Sequence, residues 1–382
     1  MLTVVPWYKP YVGGVVVAVE RICHQLSQNG HQCLILIDGD SDSIEKKYDD
    51  GLVSVYSLFQ RPMYQKTKTI KAAIAWAVYF LPTLLKLRRF IKLHNIDIVV
   101  LHFPGIANSY FPALKRLFSV KYVVCVHGSD IHTNIREHPA VKTVVNSVVR
   151  NADALIACSE FMLEEARRAL QAIPTTSKAI YIGVDSRWAE NVPSRSYAIN
   201  GRYIIANAFP VDVKGTDILL KAFEKISDTF PDVSLVLLGG RSTEKDRQKL
   251  INGSSAASKI HILGEVANQD VPSLFSGASF GVVSSRREGF PLVVLEMQLM
   301  KKTVIATSVG GLPESIKDGY NGFLIESEDV DSLADRMSFC LEHEEECRIM
   351  GENGYRRVIS DFNLETTGKQ YLQLFDKILL KN

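Results

Sequence analysis

The sequence predicts an α/β protein built as two parallel-sheet units, and three observations lead there. Short apolar runs, often β-branched, alternate with helical stretches through both halves of the chain. Runs this continuously apolar belong to strands covered on both faces, as in parallel sheets, and the glycine turns that follow them fall where such sheets bind ligands. A polar stretch from Ser186 to Arg202, with Pro193, Ser194 and Asn200-Gly201, separates the halves and reads as a linker.

Element by element, the first half places strands at Leu2–Val5, Cys33–Ile37, Ile96–His102, Tyr122–His127 and Ala154–Ser159. Helices at Val15–Gln28 and Phe161–Gln171 stand among them. The second half repeats the pattern with strands at Tyr203–Ala206, Ser234–Leu238, Lys259–Leu263, Phe280–Ser284, Thr303–Ala306 and Gly322–Ile325. A last helix covers Leu364–Leu380.

The 382 residues leave room for about two to three domains, and 46% apolar with 23% charged residues is the composition of a globular protein with substantial cores. The six cysteines are scattered without a C-x-x-C pair and read as reduced, buried thiols of a cytosolic protein. The first residues run straight into a strand, without the layout of a signal peptide. Net charge is only +2, and nothing points to nucleic acid. The charge is uneven, however: residues 1–195 carry 23 Lys/Arg against 16 Asp/Glu. No acidic residue occurs between Asp50 and Asp97, where Arg61, Lys66, Lys68, Lys71, Lys86, Arg88, Arg89 and Lys92 fall. Such asymmetry implies an anionic partner for the first half.

The chemistry concentrates in EGFPLVVLE, Glu288 to Glu296. Glycine allows a tight turn and close approach to a ligand, and proline suits a helix start. A helix beginning near Pro291 turns its free N–H groups and positive dipole end toward whatever Glu288 faces, a seat for phosphate. Glu296 then lies about a turn and a half into that helix. A carboxylate, a phosphate-ready helix start and a second carboxylate together suit a sugar nucleotide.

With TSVGGLPESIKDGYNGFLI (Thr307 to Ile325), Gly13-Gly14, HGSDI (His127 to Ile131), ACSEF (Ala157 to Phe161), YIGVD (Tyr181 to Asp185), VKGTDILLKAF (Val213 to Phe223) and LVLLGG (Leu235 to Gly240), the chain resembles glycosyltransferase family 4 along nearly its whole length. The resemblance implies the GT-B fold, two Rossmann-like domains facing a central cleft. The domains are expected at 1–185, which binds acceptor, and 186–363, which binds the nucleotide sugar; helix 364–382 packs back on the first. Transfer proceeds with retained configuration.

Carried onto this sequence, the family pattern gives catalytic roles to His127, at the transferred sugar's hydroxyl or through its backbone carbonyl, and to Glu288, on the sugar hydroxyls. Donor binding falls to Gly14, Lys214, Gly264, Val266, Phe290, Pro291, Leu292 and Glu296, the last on the ribose. Gly13 and Asp130 stand on the acceptor side. Asp130 reads equally well as a helix N-cap, and Gly13-Gly14 also fits a simple strand-to-helix turn. Lys214 holds the diphosphate in the family together with an arginine five residues earlier; here that position is Phe209. Arg286 or Arg287 is the expected replacement. Lys301 and Thr303 replace a glycine and a proline common in relatives, a structural change only. No D-x-D metal motif stands in a sugar-nucleotide loop, so no metal and no cofactor beyond the substrate, a UDP-sugar by family frequency, is expected.

A second feature is Met63–Leu93. Ala72 to Leu85 is apolar nearly all round, with lysines and arginines on both flanks. Fourteen residues give ~21 Å of helix, short of the ~30 Å of a bilayer core. Trp76, Tyr79 and Phe80 beside cationic ends fit insertion at an anionic membrane interface, with a buried core helix as the alternative. The expected protein is therefore a cytoplasmic glycosyltransferase, peripheral at the inner face of the plasma membrane, acting on a glycan or lipid-linked glycan. The alternatives are a sugar-nucleotide epimerase on the same fold and a non-catalytic sugar-nucleotide-binding partner in polysaccharide assembly.

Overall fold

The computed structural model describes residues 1–11, 13–62, 69–131, 139–190, 192, 199, 201–239 and 250–380. The chain divides into two units, Met1–Ile182 with Leu364–Asn382, and Gly183–Asn363. Of the expected linker, residues 191, 193–198 and 200 lie outside the described residues, as do Gly240, Lys66 and Lys68.

The first unit holds β1 (Leu2–Val5), β2 (Leu34–Asp38), β3 (Glu45–Asp50), β4 (Val53–Leu58), β5 (Ile98–His102), β6 (Lys121–Val126), β7 (Ala154–Ala157) and β8 (Ser177–Ala179). They form one sheet in the order β3-β4-β2-β1-β5-β6-β7-β8, parallel except for β3, which runs antiparallel to β4. The β3–β4 hairpin is absent from the sequence reading. β3 (EKKYDD) is too polar to register as an apolar run. As an edge strand it needs that charge, which blocks pairing with another chain. The core gathers Val5, Ile35, Val100, Val123 and Ile156 from the sheet with Val19, Ile22 and Leu26 from the helix Gly14–Gln28. Tyr371, Leu374, Phe375 and Ile378 of the helix Leu364–Leu379 complete the same core.

The second unit holds β9 (Arg202–Asn207), β10 (Val233–Leu238), β11 (Ile260–Gly264), β12 (Phe280–Val283), β13 (Val304–Thr307) and β14 (Phe323–Ile325). All are parallel, in the order β11-β10-β9-β12-β13-β14. The chain leaves β9 toward one edge and returns at β12 toward the other, so the carboxyl ends of β9 and β12 flank a topological switch point, where sheets of this kind bind ligands. Gly281 lets the helix Leu292–Leu299 lie close on β12: a Cβ there would stand 2.1 Å from Met297 Sδ.

The expected fourteen-residue apolar helix is longer in the structure. It runs from Thr69 to Leu93 with Pro82 inside, and by length and composition it could cross a membrane. Leu84, Leu87, Phe90 and Ile91 are buried in the first unit. Trp76 and Phe80 also turn inward, which corrects their expected place at an interface. The Trp76 indole N–H donates to Ser109 Oγ at 3.0 Å, and Phe80 stacks on Tyr110. The outward stripe is Ile70, Ile74, Val78, Leu81 and Leu85, continued by exposed Arg89 and Lys92. Tyr79 is also exposed and lies under the Arg61 guanidinium. Not every base flanking the stripe faces outward: Lys86 donates to the Asp42 carbonyl, and Arg88 lies over the Phe118 ring. Leu85, Arg88, Arg89, Lys92 and Leu93 line an open depression of about 470 Å³. Arg88 Nε is buried there without a hydrogen-bond partner among the described residues.

Candidate functional site

At the switch point of the second unit, two loops are fastened together by their backbones. β9 leads through Ala208–Pro210 into a one-turn helix, Val211–Lys214, then Gly215 and the helix Thr216–Ser227. β12 leads through Ser284–Pro291 into the helix Leu292–Leu299. The Arg286 amide donates to the Val213 carbonyl at 2.8 Å, and Ser284 Oγ donates to the carbonyls of Lys214 and Gly215. Gly215 is left-handed, with φ +60, and a Cβ there would lie 2.1 Å from the Ser284 carbonyl oxygen. Only glycine permits that turn at that distance.

This fastening brings Lys214 and Glu288 together. Lys214 Nζ lies 2.7 Å from Glu288 Oε2, with the side chains 17% and 15% exposed. Ser285 Oγ reaches the same carboxylate oxygen at 3.4 Å. Oε1 and the remaining ammonium protons have no partner among the described residues. Behind Glu288 stands Gly310, whose φ is +60 and whose Cβ would lie 1.8 Å from the Glu288 carbonyl oxygen; the Gly311 amide donates to that oxygen at 3.2 Å. The glycine pair of TSVGG is thus the backing of the carboxylate loop, a role the sequence reading does not give it.

The neighbouring helix Leu292–Leu299 begins without a side-chain cap or an acidic residue in its first turn. Its N-terminal N–H groups and dipole remain suited to an anion. Glu296 lies partly exposed one and a half turns in, on the same helix. Pro291 is buried and Leu292 partly exposed, while the Phe290 ring is buried against Phe362, so Phe290 offers a ligand its backbone only. Gly264 ends β11 with φ +68, and Val266 follows, two strands away from β9. The expected compensation by Arg286 runs into its geometry. Its guanidinium grips Asp217 with two bonds of 2.8 Å and also donates to Glu328 and the Asp212 carbonyl. These hydrogen bonds hold the carboxyls of Asp217 and Glu328 below the usual range. A guanidinium so engaged would have to break a clasp to meet a phosphate. Arg287, by contrast, is exposed. Phe209 is partly buried and packs against the unit's core.

The other predicted residues belong to the first unit. Gly13 and Gly14 are exposed where β1 gives way to the helix Gly14–Gln28, and a Cβ on either would meet nothing within 4 Å. Gly13 is extended at φ 167, so neither sterics nor backbone demands glycine there. Asp130 is fully buried and accepts the amides of His127, Gly128 and Ile131, which braces the turn that follows β6. Burial pushes its carboxyl up to about 6 against those bonds. His127 follows β6, and its Nε2 lies 2.9 Å from Nδ1 of His102, the last residue of β5. Burial lowers His127 to about 4 and His102 well below its ordinary value. His102 is missing from the sequence reading, although it carries the same signal as His127, a histidine closing an apolar strand. All six cysteines are free and buried, and no three His, Cys, Asp or Glu side chains cluster as metal ligands among the described residues.

Comparison with known proteins matches these features. The Glycosyltransferase Family 4 model matches residues 12–188, and the model of Glycosyl transferases group 1 matches residues 202–357. The chain is 26% identical to N-acetyl-alpha-D-glucosaminyl L-malate synthase of Bacillus anthracis, over 97% of this chain and 95% of that protein. Its fold superposes on sucrose-phosphate synthase of Thermosynechococcus elongatus with TM-score 0.80, at 18% identity, covering 100% and 99% of the two chains. HepE of Anabaena, solved in complex with UDP-glucose, matches with TM-score 0.75 at 19% identity, covering 98% and 99%. Two parallel-sheet units, a switch-point lysine–glutamate pair and these matches give one conclusion: the chain is a glycosyltransferase of the GT-B fold and belongs to glycosyltransferase family 4.

Proposed function

We propose that the protein transfers a sugar, with retention of configuration, from a UDP-sugar to a glycan or lipid-linked glycan. The observation that carries this reading is the Lys214–Glu288 contact at the carboxyl ends of β9 and β12. The ammonium takes the diphosphate, with the start of the helix Leu292–Leu299 and exposed Arg287. Glu288 takes hydroxyls of the transferred sugar, and Glu296 those of the ribose. UDP is favoured by the likeness to a fold solved with UDP-glucose. Gly13 and Gly14, exposed and with nothing within 4 Å of a Cβ, let a ligand approach the backbone. His127 contributes a neutral ring at neutral pH. Glu288 and Glu296 are both assigned to ligand hydroxyls, and neither is assigned as a nucleophile. The transfer therefore runs as front-face departure: the glycosidic C–O bond to the phosphate breaks, the acceptor oxygen bonds the same face, and the leaving phosphate takes the acceptor's proton. Orientation and electrostatics carry the rate, and no metal is required.

The exposed stripe of Ile70, Ile74, Val78, Leu81 and Leu85, with Arg89 and Lys92 beyond it, is suited to an anionic membrane surface. The depression at Arg88 suits a phosphate headgroup. A lipid-borne acceptor would be met there. The test incubates UDP- and GDP-sugars with lipid-linked and soluble acceptors, with and without EDTA, and reads the anomeric configuration of the product by NMR. Retained configuration from a UDP-sugar in chelator is expected. An inverted product, an absolute metal requirement or an exclusive GDP-sugar preference overturns the corresponding part. Binding without transfer would favour the non-catalytic reading, and an epimerised donor without acceptor the epimerase.

A further inference from the structure

β5 and β6 are neighbours in register, His102 beside Cys125, and each strand delivers a histidine to the carboxyl edge of the sheet. The rings stack with centroids 5.2 Å apart and planes 21° from parallel, and His102 Nδ1 stands 2.9 Å from His127 Nε2. Every other residue of β5 is aliphatic, and His102 is 2% exposed. A polar ring buried there costs desolvation that a leucine would not. Among the described residues its hydrogen-bond partner is His127.

We propose that His102 is a positioning residue for the transfer reaction: it holds His127 by Nε2, so that Nδ1 is the ring nitrogen His127 presents to a substrate hydroxyl. The inference rests on the reading of His127 as a site residue. A contact of this length needs one N–H and one lone pair. If His102 donates, His127 keeps its proton on Nδ1 and offers a donor. If His127 donates through Nε2–H, its Nδ1 offers a lone pair. Either arrangement closes Nε2 to substrate and leaves Nδ1. The backbone beneath is fixed separately, by Asp130 accepting the His127 amide and by Cys158 Sγ donating to the His127 carbonyl at 3.5 Å. Ring and backbone therefore have independent restraints, and removing His102 frees the ring alone. A histidine's orientation and tautomer are generally set by what its other nitrogen binds.

The experiment compares His102→Asn, His102→Gln and His102→Phe with wild type for kcat, donor KM and Tm. An asparagine amide stands where Nδ1 stands, whereas a glutamine amide reaches toward the position of Nε2. His102→Phe should lower kcat by about 10- to 100-fold, by analogy with the partners that orient metal-ligating histidines, with donor KM nearly unchanged. His102→Asn should restore most of that loss and His102→Gln should not. Wild-type kcat in His102→Phe, or rescue that follows Tm rather than the asparagine–glutamine difference, overturns the proposal. His127→Ala is the control: wild-type turnover in that variant sinks the site reading itself, whereas a large loss there beside an unaffected His102→Phe sinks only this inference. A long-range ¹H–¹⁵N histidine spectrum of the wild-type protein needs no variant. Each of the two rings should show one fixed tautomer, and averaged tautomers on His127 overturn the proposal.

Discussion

Lys214 and Glu288 hold one another 2.7 Å apart at the meeting of two loops, so the cation suited to a phosphate and the carboxylate suited to a sugar are each other's partner. A diphosphate would compete with Glu288 for the ammonium and release the carboxylate toward the sugar. Glu288→Gln, which keeps the shape, should cut kcat by roughly 10²–10³ while Tm stays near wild type. Lys214→Ala should weaken UDP binding by about 10- to 100-fold, the loss of a charge-assisted bond of ~1.5–3 kcal/mol. The double variant should lose less than the two effects combined, because the residues are coupled. Steady-state kinetics and titration calorimetry read all three, and near wild-type turnover in Glu288→Gln would sink the assignment.

Phe209→Arg introduces the charge that the family resemblance implies at this position, and Arg286 is clasped by Asp217 and Glu328. UDP affinity should rise by about tenfold or more. Stability should fall, since Phe209 packs against the core of its unit. Unchanged or weaker binding would mean that the diphosphate is held without that position.

Gly310→Ala should both destabilise and inactivate. A left-handed backbone with a Cβ 1.8 Å from the Glu288 carbonyl oxygen forces the carboxylate loop to move. The strain is about 1–3 kcal/mol. Gly319→Ala is the comparison, at φ +71 with nothing within 4 Å. It should share the backbone strain but spare kcat, and equal loss of activity in both would refute the role of Gly310.

Stability should fall as pH drops below about 6.5. His127, held near 4, and His102, lower than usual, stay neutral in the fold while the unfolded chain takes up protons near 6.5. Their contribution is complete above 6.5 and lost on acidification. Asp130 works in the opposite direction, protonating in the fold at about 6 and in the unfolded chain only near 3.8. Two histidines against one aspartate leave a net loss, at about 1.4 kcal/mol per pKa unit per group. Urea melts at pH 5 and 7 measure it; greater stability at pH 5 would contradict the balance.

Anionic vesicles should bind the wild-type protein at low salt and release it in part as salt rises. Arg89→Glu with Lys92→Glu should remove the salt-sensitive component, each base being worth ~1 kcal/mol near such a surface. Ile74→Asp with Val78→Asp should remove the remainder, because these side chains face outward. Wild-type protein that stays in the supernatant at low salt would refute the membrane reading.

Much of the architecture was legible because parallel strands buried on both faces leave unbroken apolar runs, as in Ile98–Leu101 and Ala154–Ala157. The β3–β4 hairpin was not, since an edge strand hides under charge. The resemblance to the family pattern pointed to Lys214 and Glu288, although 74 residues separate them, and both lie in strand-to-helix connections at the same switch point. What side chains do among themselves was invisible. The occupation of Arg286 by Asp217 and Glu328 depends on residues far apart in the chain, and so does the His102–His127 contact. Likewise the inward turn of Trp76 and Phe80 depends on Ser109 and Tyr110, which no periodicity in the helix reveals.

The helix Leu364–Leu379 lies in the core of the first unit, against the helix Gly14–Gln28, where a Cβ at Gly368 would stand 3.0 Å from Gln25 Cγ. During synthesis the sheet β1–β8 therefore emerges with the seat for Tyr371, Leu374, Phe375 and Ile378 uncovered. At about 5–20 residues per second, the wait for that helix lasts on the order of 10–40 s, long enough for the second unit to fold first. The half of the chain made earlier is thus finished later, and until then its apolar seat is open to chaperones or to other nascent chains.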